Sequence, residues 1–310
     1  FFLGALFVLA SGITLLQVAA NPYVTKLGSE QTASSRLNLT QAFNSLGATA
    51  APYLGSVFIL QKSSAQAAAD ASLVQRPYLV LAAALVLIAL VVLASRLPAL
   101  RERAAPERAA GERAGSTAPS LWTQRHLVLG VIAIFLYVGA EVSIGSLLVS
   151  FMGQPQVAAL SAPVAGKYVS LYWGGAVVGR FVGAALLTRL RPSRLLAFNA
   201  VVNCALIATS IAIGGHAAMW ALLAIGLFNS IMFPTIFALA LEGLGPRTGE
   251  GSGVLCMAIV GGALVPELQG ALADGIGLSD SYVVPLACYL YIVFYGLRGY
   301  RHPAAQPSAP

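Results

Sequence analysis

The sequence predicts an all-α protein that crosses a membrane many times, and three observations carry that class. Hydrophobic residues fill 58% of the 310 positions and charged residues 9%, whereas a soluble domain carries about 25% charge. The apolar residues gather into nine runs, near 1–23, 38–60, 77–95, 126–150, 166–188, 195–214, 217–242, 252–274 and 282–297. Each is long enough to cross about 30 Å of hydrocarbon at about 1.5 Å per residue. The 18 Lys and Arg residues divide unevenly among the connections: fourteen lie on one side, from Lys26 and Arg36 to Arg298 and Arg301, and Lys62, Arg76 and Lys167 on the other, with Arg180 inside a run. Cations collect on cytoplasmic loops, so residue 1 is expected outside and the linker and C-terminus in the cytoplasm.

The first run opens "FFLGALFVLA", with no Met and no charged leader, so it is expected to be a true span and not a signal peptide. A start outside without such a peptide implies an odd number of spans upstream. Gln17 and Asn21 lie four apart, on one helical face, and Pro22 frees a backbone carbonyl one turn back and can kink the helix. In the second run Asn38, Gln41, Asn44 and Ser45 again share a face. Two stripes of amides can wall a cavity that has donors and acceptors but no net charge, which suits an uncharged, polyhydroxylated solute better than an ion or a lipid. The alternative is that they join helices through hydrogen bonds worth about 0.6 to 2 kcal/mol each.

The third run closes the first part, and residues 96–125 follow as a basic connection whose "RERAAPERAAGERAG" repeats Glu-Arg every five positions. That period builds no apolar helical face and fits a solvated, topology-setting linker. The fourth run holds Glu141 about midway, with Tyr137 one turn before it. A carboxylate in hydrocarbon is costly to ionise, so it can hold a proton in one conformation and release it in another, or it can simply brace helices. The fifth brings Tyr172 and Trp173, which can stack on a sugar ring or serve packing. It also carries Gly175, Gly179 and Gly183 at a spacing that permits close helix approach. Arg180 needs a partner there, and Glu242 at the cytoplasmic end of the seventh run is the expected one, as a gate or brace. The eighth run carries Glu267, with no assigned role, and Asp274 near its outer end. Cys204, Cys256 and Cys288 stand singly in apolar runs without metal-ligand spacing and read as core residues. The chain has no Walker loop, no HExxH and no Ser-His-Asp arrangement, so no metal site and no enzymatic catalysis is expected.

A faint internal repeat sets the larger plan. "LLQVAANPYVTKLG" aligns with "GLFNSIMFPTIFALALEGLG", placing Gln17 on Asn229 and Pro22 on Pro234. "NSLGATAAP" aligns with "AIVGGALVP", placing Gly47 on Gly261 and Pro52 on Pro266. First matches seventh and second matches eighth, so the unit is six helices. The expected division is 1–95 as the last three helices of an N-terminal half, 96–125 as cytoplasmic linker, 126–298 as a six-helix C-terminal half and 299–310 as a cytoplasmic tail. About nine helices of twelve are then present, in the plan of a major facilitator transporter.

"LLQVAANPYVTKLG" and "SRLNLTQAFNSLGATAAPYLG" resemble the fourth and fifth helices of the fucose permease and glucose/galactose transporter family within that superfamily. "FLYVGAEVSIGSLLVSF", "GKYVSLYWGGAVVGRFVGA" and "NSIMFPTIFALALEGLG" resemble helices seven, eight and ten of its glucose/galactose branch. The resemblance covers essentially the whole chain and implies sugar uptake by alternating access across the bacterial inner (plasma) membrane, coupled to H+ or, in some members, Na+. It implies a hexose and the lipid bilayer as partners, no nucleic acid, a monomer, and no cofactor beyond the co-transported cation. In the fucose permease a Glu just before the "AANP"-like stretch takes part in proton coupling; the matching position is Gln17, which cannot carry a proton. A Gln and an Asn three apart line that relative's sugar cavity and match Gln41 and Asn44. The candidate substrate contacts are thus Gln17, Asn21, Gln41, Asn44, Asn229, Tyr172 and Trp173, with Glu141 or a helix upstream as coupling acid. Two rival readings stand beside this one: a major facilitator exporter of drugs or other small solutes, and a non-transporting sugar sensor.

Overall fold

Hydrocarbon offers no water to an exposed amide, so each spanning segment must bond its own backbone, and every apolar run among the described residues is accordingly helical. The computed structural model describes residues 2–55, 72–95 and 120–301. Its helices are α1 (Phe2–Lys26), α2 (Ala33–Gly55), α3 (Ser72–Ala94), α4 (Arg125–Gly153), α5 (Ala162–Leu186), α6 (Pro192–Ile213), α7 (Gly215–Asn229), α8 (Met232–Leu241), α9 (Thr248–Met257), α10 (Gly261–Ile276) and α11 (Val283–Phe294). The expected seventh span is α7 and α8 with an interruption between them. The eighth is α9 and α10, joined by a tight turn at Ala258–Val260, and α11 runs on into a wide turn over Tyr295–Gly299.

Among the described residues seven helical stretches are long and apolar enough to cross a membrane, with a shorter apolar stretch at Tyr78–Ala94. The expected second span, α2, is not among the seven, because its stripe of Asn38, Gln41, Asn44 and neighbouring serines dilutes the apolar residues. It also starts about five residues earlier than the apolar pattern suggests. The expectations for linker residues 96–119, for tail residues 302–310 and for Lys62 lie outside the described residues.

The chain divides into two compact units, residues 1–43 with 108–310, and residues 44–107. In the second, the side chains of α3 from Tyr78 onward are exposed and almost all apolar, as a lipid-facing helix requires. In the first, α4 is central and packs against α5, α8, α10 and α11, burying Ile134, Tyr137, Ile144 and Leu148. The expected close approach along α5 is present: a Cβ at Gly179 would overlap the Leu227 carbonyl, and one at Gly226 would overlap the Tyr172 carbonyl. Arg36, counted above as a topology signal, also caps α1. Its Nε and Nη2 donate to the carbonyls of Val24 and Thr25 at 3.2 and 2.6 Å, two of the groups that a helix end leaves unpaired.

Candidate functional site

A proline removes the amide that would bond the carbonyl four residues earlier. Pro22 thereby frees the Val18 carbonyl in α1, which accepts from Ser252 Oγ of α9 at 3.1 Å. Pro234 frees the Ser230 carbonyl, which accepts from Arg180 Nε of α5 at 3.1 Å. Although the two prolines are repeat-related, α1 is continuous through Pro22 while the seventh span breaks at Ser230 and Ile231. The break coincides with three successive carbonyls that side chains of three other helices capture. Phe228 is bonded by Asn199 of α6 at 2.9 Å, Asn229 by Tyr137 of α4 at 3.2 Å, and Ser230 by Arg180. In α1, apart from the Val24 and Thr25 carbonyls that Arg36 caps at its C-terminal end, the carbonyl that another helix takes among the described bonds is that of Val18.

The side chain of Asn229, fully buried, is the centre of the same region. Its Oδ1 accepts from Asn203 Nδ2 of α6 at 2.8 Å and from the Tyr289 hydroxyl of α11 at 2.6 Å, and its Nδ2 donates to the Tyr172 hydroxyl at 2.9 Å. Tyr172 in turn donates to the Glu141 carbonyl at 3.2 Å, and Tyr137 donates to Glu141 Oε1 at 2.7 Å. Glu141 and Asn229 are therefore joined by two tyrosines, and Arg180 lies within Coulombic range of both Glu141 and Tyr137.

Arg180 also holds helices of the two expected halves together. Its Nη1 donates to the Gln41 carbonyl of α2 at 3.0 Å, its own carbonyl accepts from Asn38 Nδ2 at 2.7 Å, and Ser35 Oγ donates to the Ala184 carbonyl at 2.7 Å. Glu242 is the residue expected to pair with Arg180. It follows the C-terminal end of α8, about 18 Å along the helix from the Ser230 carbonyl that Arg180 holds. The backbone carbonyl of Glu242 accepts from His126 at 2.9 Å.

The other expected residues fall into two groups. Gln41 Nε2 donates to Asn21 Oδ1 at 3.4 Å, which links the amide faces of α2 and α1, while Asn21 Nδ2 is buried without a hydrogen bond. Gln17 is half-buried on the same face of α1. Asn44 is exposed, on the part of α2 that belongs to the second unit. Tyr172 is 1% exposed and Trp173 41%, with their rings edge to face at 5.2 Å, so in this conformation the Tyr172 ring serves packing. Glu267 and Asp274 are both exposed. The sequence reading passed over Asn199, Asn203, Ser252 and Tyr289. Asn199 and Asn203 carried a usable signal, since they lie four apart in an apolar run as Gln17 and Asn21 do. Tyr289 carried none.

A bundle of apolar spans, broken at its polar centre and joined there by uncharged amides and a carboxylate, defines a membrane transporter of the secondary, alternating-access class. Residues 1–266 match the model of the Major Facilitator Superfamily. The chain is 56% identical to the glucose/galactose transporter of Brucella abortus biovar 1 (strain 9-941), over 96% of this chain and 71% of that protein. It is 33% identical to the L-fucose-proton symporter of Escherichia coli (strain K12), over 95% of this chain and 70% of that one. A crystal structure of the Major Facilitator Superfamily transporter FucP in the outward conformation superposes with TM-score 0.84 at 32% identity, over 96% of this chain and 75% of that one. The chain belongs to the Major Facilitator Superfamily, within the family of glucose/galactose transporters and fucose permeases. It is an integral membrane protein of a transporter family, not of an enzyme family.

Proposed function

We propose that the protein is a proton-coupled symporter of a neutral hexose, glucose or galactose ahead of fucose, working by alternating access in the bacterial inner membrane as a monomer. The observation that carries this reading is the amide pair Asn21–Gln41, uncharged donors and acceptors on facing helices in a chain most of whose length matches a glucose/galactose transporter. Hydroxyl groups of a sugar need such partners, and Asn21 Nδ2 is a donor that the protein itself leaves unused. The named fucose-proton relative supports the proton as the driving ion. Gln17 and Trp173 complete the proposed sugar contacts, with Asn229 and Tyr172 offering theirs only when their enclosed bonds open. Arg180 is the brace that closes the cytoplasmic side, Glu242 anchors the end of α8, and Glu141 is the coupling acid. The Lys- and Arg-rich side, with linker and C-terminus, faces the cytoplasm.

The test is uptake of labelled hexoses by the full-length protein in proteoliposomes under an imposed proton gradient, a sodium gradient, or neither. Accumulation of glucose or galactose driven by protons is expected. Transport of lipophilic cations in place of hexoses would favour an exporter, and sugar binding without counterflow a sensor. Replacing Glu141→Gln is expected to abolish accumulation while sparing exchange, because a carboxamide cannot tie reorientation to a proton; unchanged accumulation would move the coupling role elsewhere.

A further inference from the structure

Tyr137 is fully buried and has one hydroxyl hydrogen but two acceptors in reach, Glu141 Oε1 at 2.7 Å and the Asn229 carbonyl at 3.2 Å. An ionised carboxylate only accepts, and a hydrogen bond to it is short and strong, so with Glu141 charged the hydrogen belongs to Glu141. A protonated Glu141 can donate its own O–H to the Tyr137 oxygen. The Tyr137 hydrogen then turns to the Asn229 carbonyl. We propose that Tyr137 is the positioning residue that reads the proton on Glu141 and delivers it, as a hydrogen bond, to the broken end of α7. This rests on the reading of Glu141 as the coupling acid and extends it to the element that moves.

The step balances simply: one proton arrives at the carboxylate and forms its O–H, Tyr137 keeps its hydrogen, and no other bond is made or broken. The Asn229 carbonyl is the middle one of the three whose capture marks the break, so the proton adds or removes a cap there. Tyr172 supplies a second bridge, from Asn229 Nδ2 to the Glu141 backbone carbonyl, which has no titrating end and keeps the two residues in register throughout. The titratable or charged groups described around Glu141 are Tyr137 on its own helix, Arg180 and Tyr172 on α5, and Tyr289 on α11. Helix α10 meets α4 near there through Gly261 and Val265, which are apolar.

The experiment compares accumulation and the pH profile of sugar exchange for the full-length protein, Glu141→Gln and Tyr137→Phe in proteoliposomes. Tyr137→Phe is expected to keep exchange within about threefold at its best pH, to lose about tenfold or more of accumulation, and to flatten the pH profile. If Glu141→Gln loses accumulation and Tyr137→Phe keeps both accumulation and the wild-type profile, the relay is wrong and the coupling acid stands. If Glu141→Gln behaves as wild type, the coupling reading falls and takes the relay with it. Should Tyr137→Phe fail to fold, the infrared pH-difference spectrum of the unaltered protein decides. A tyrosine C–O band that titrates together with a carboxyl band, both absent in Glu141→Gln, supports the relay. The carboxyl band titrating alone overturns it.

Discussion

Asn229 takes hydrogen bonds from or to four helices, through Tyr137 of α4, Tyr172 of α5, Asn203 of α6 and Tyr289 of α11. Replacing it by Leu keeps the approximate volume but leaves Asn203, Tyr289 and Tyr172 without their partner. A buried polar group deprived of its bond costs about 1 to 3 kcal/mol, so Asn229→Leu is expected to lower stability by several kcal/mol, and Asn203→Leu by less. Thermal unfolding in detergent measures both, and equal stability of Asn229→Leu and wild type would contradict the network. The repeat made Asn229 visible in the sequence, as the counterpart of Gln17, and spacing made Glu141 and Tyr137 visible as a pair. What Asn229 bonds was not legible, because Tyr289 is one aromatic among many in an apolar run, and only the packing of α11 on α4 and α6 selects it. The carbonyls that Arg180 bonds were not legible for a related reason. A buried cation suggests a carboxylate, but a broken helix supplies backbone carbonyls that serve as well.

The elements follow the apolar runs closely, since spanning lipid leaves the backbone no alternative to the helix; of the two repeat-related prolines, Pro22 lies inside a continuous α1 and Pro234 follows a break. That one span would break and the other stay whole could not be read locally: the capturing side chains of Asn199, Tyr137 and Arg180 come from three other helices. The simpler case, α1, yields a sharp prediction. Ser252 caps the Val18 carbonyl only because Pro22 has no amide to offer it. Ser252→Ala in the wild-type background is expected to cost about 0.5 to 1.5 kcal/mol. In a Pro22→Ala background, where residue 22 regains its amide and bonds Val18 itself, the same change should cost close to nothing. A double-mutant cycle on thermal stability reads the difference, and equal costs in the two backgrounds would show that Ser252 acts through some other contact.

At the scale of the molecule, composition and the apolar runs made the membrane-spanning class legible, while the fourteen-to-three charge asymmetry and the repeat offset of 212 to 214 residues set the expected topology and six-helix unit. The contact between α2 and α5 was not, because Asn38 looked like part of one amide stripe and nothing singled out Ser35, whereas both donate to α5 carbonyls, at Arg180 and Ala184. These two bonds and the Arg180 bond to Gln41 join α2, of the expected N-terminal half, to α5, of the expected C-terminal half, at a few polar points. Alternating access requires the halves to part on one side while closing on the other, so contacts of this kind must break once in each cycle. Ser35→Cys with Ala184→Cys, in a background where Cys204, Cys256 and Cys288 are replaced by Ser, places two thiols at that contact. A short, reducible bifunctional thiol reagent is expected to join them and to arrest sugar exchange nearly completely, with recovery on reduction, while each single-cysteine protein continues to exchange. A joined protein that still exchanges would mean that α2 and α5 travel together, and that the halves separate along a different seam.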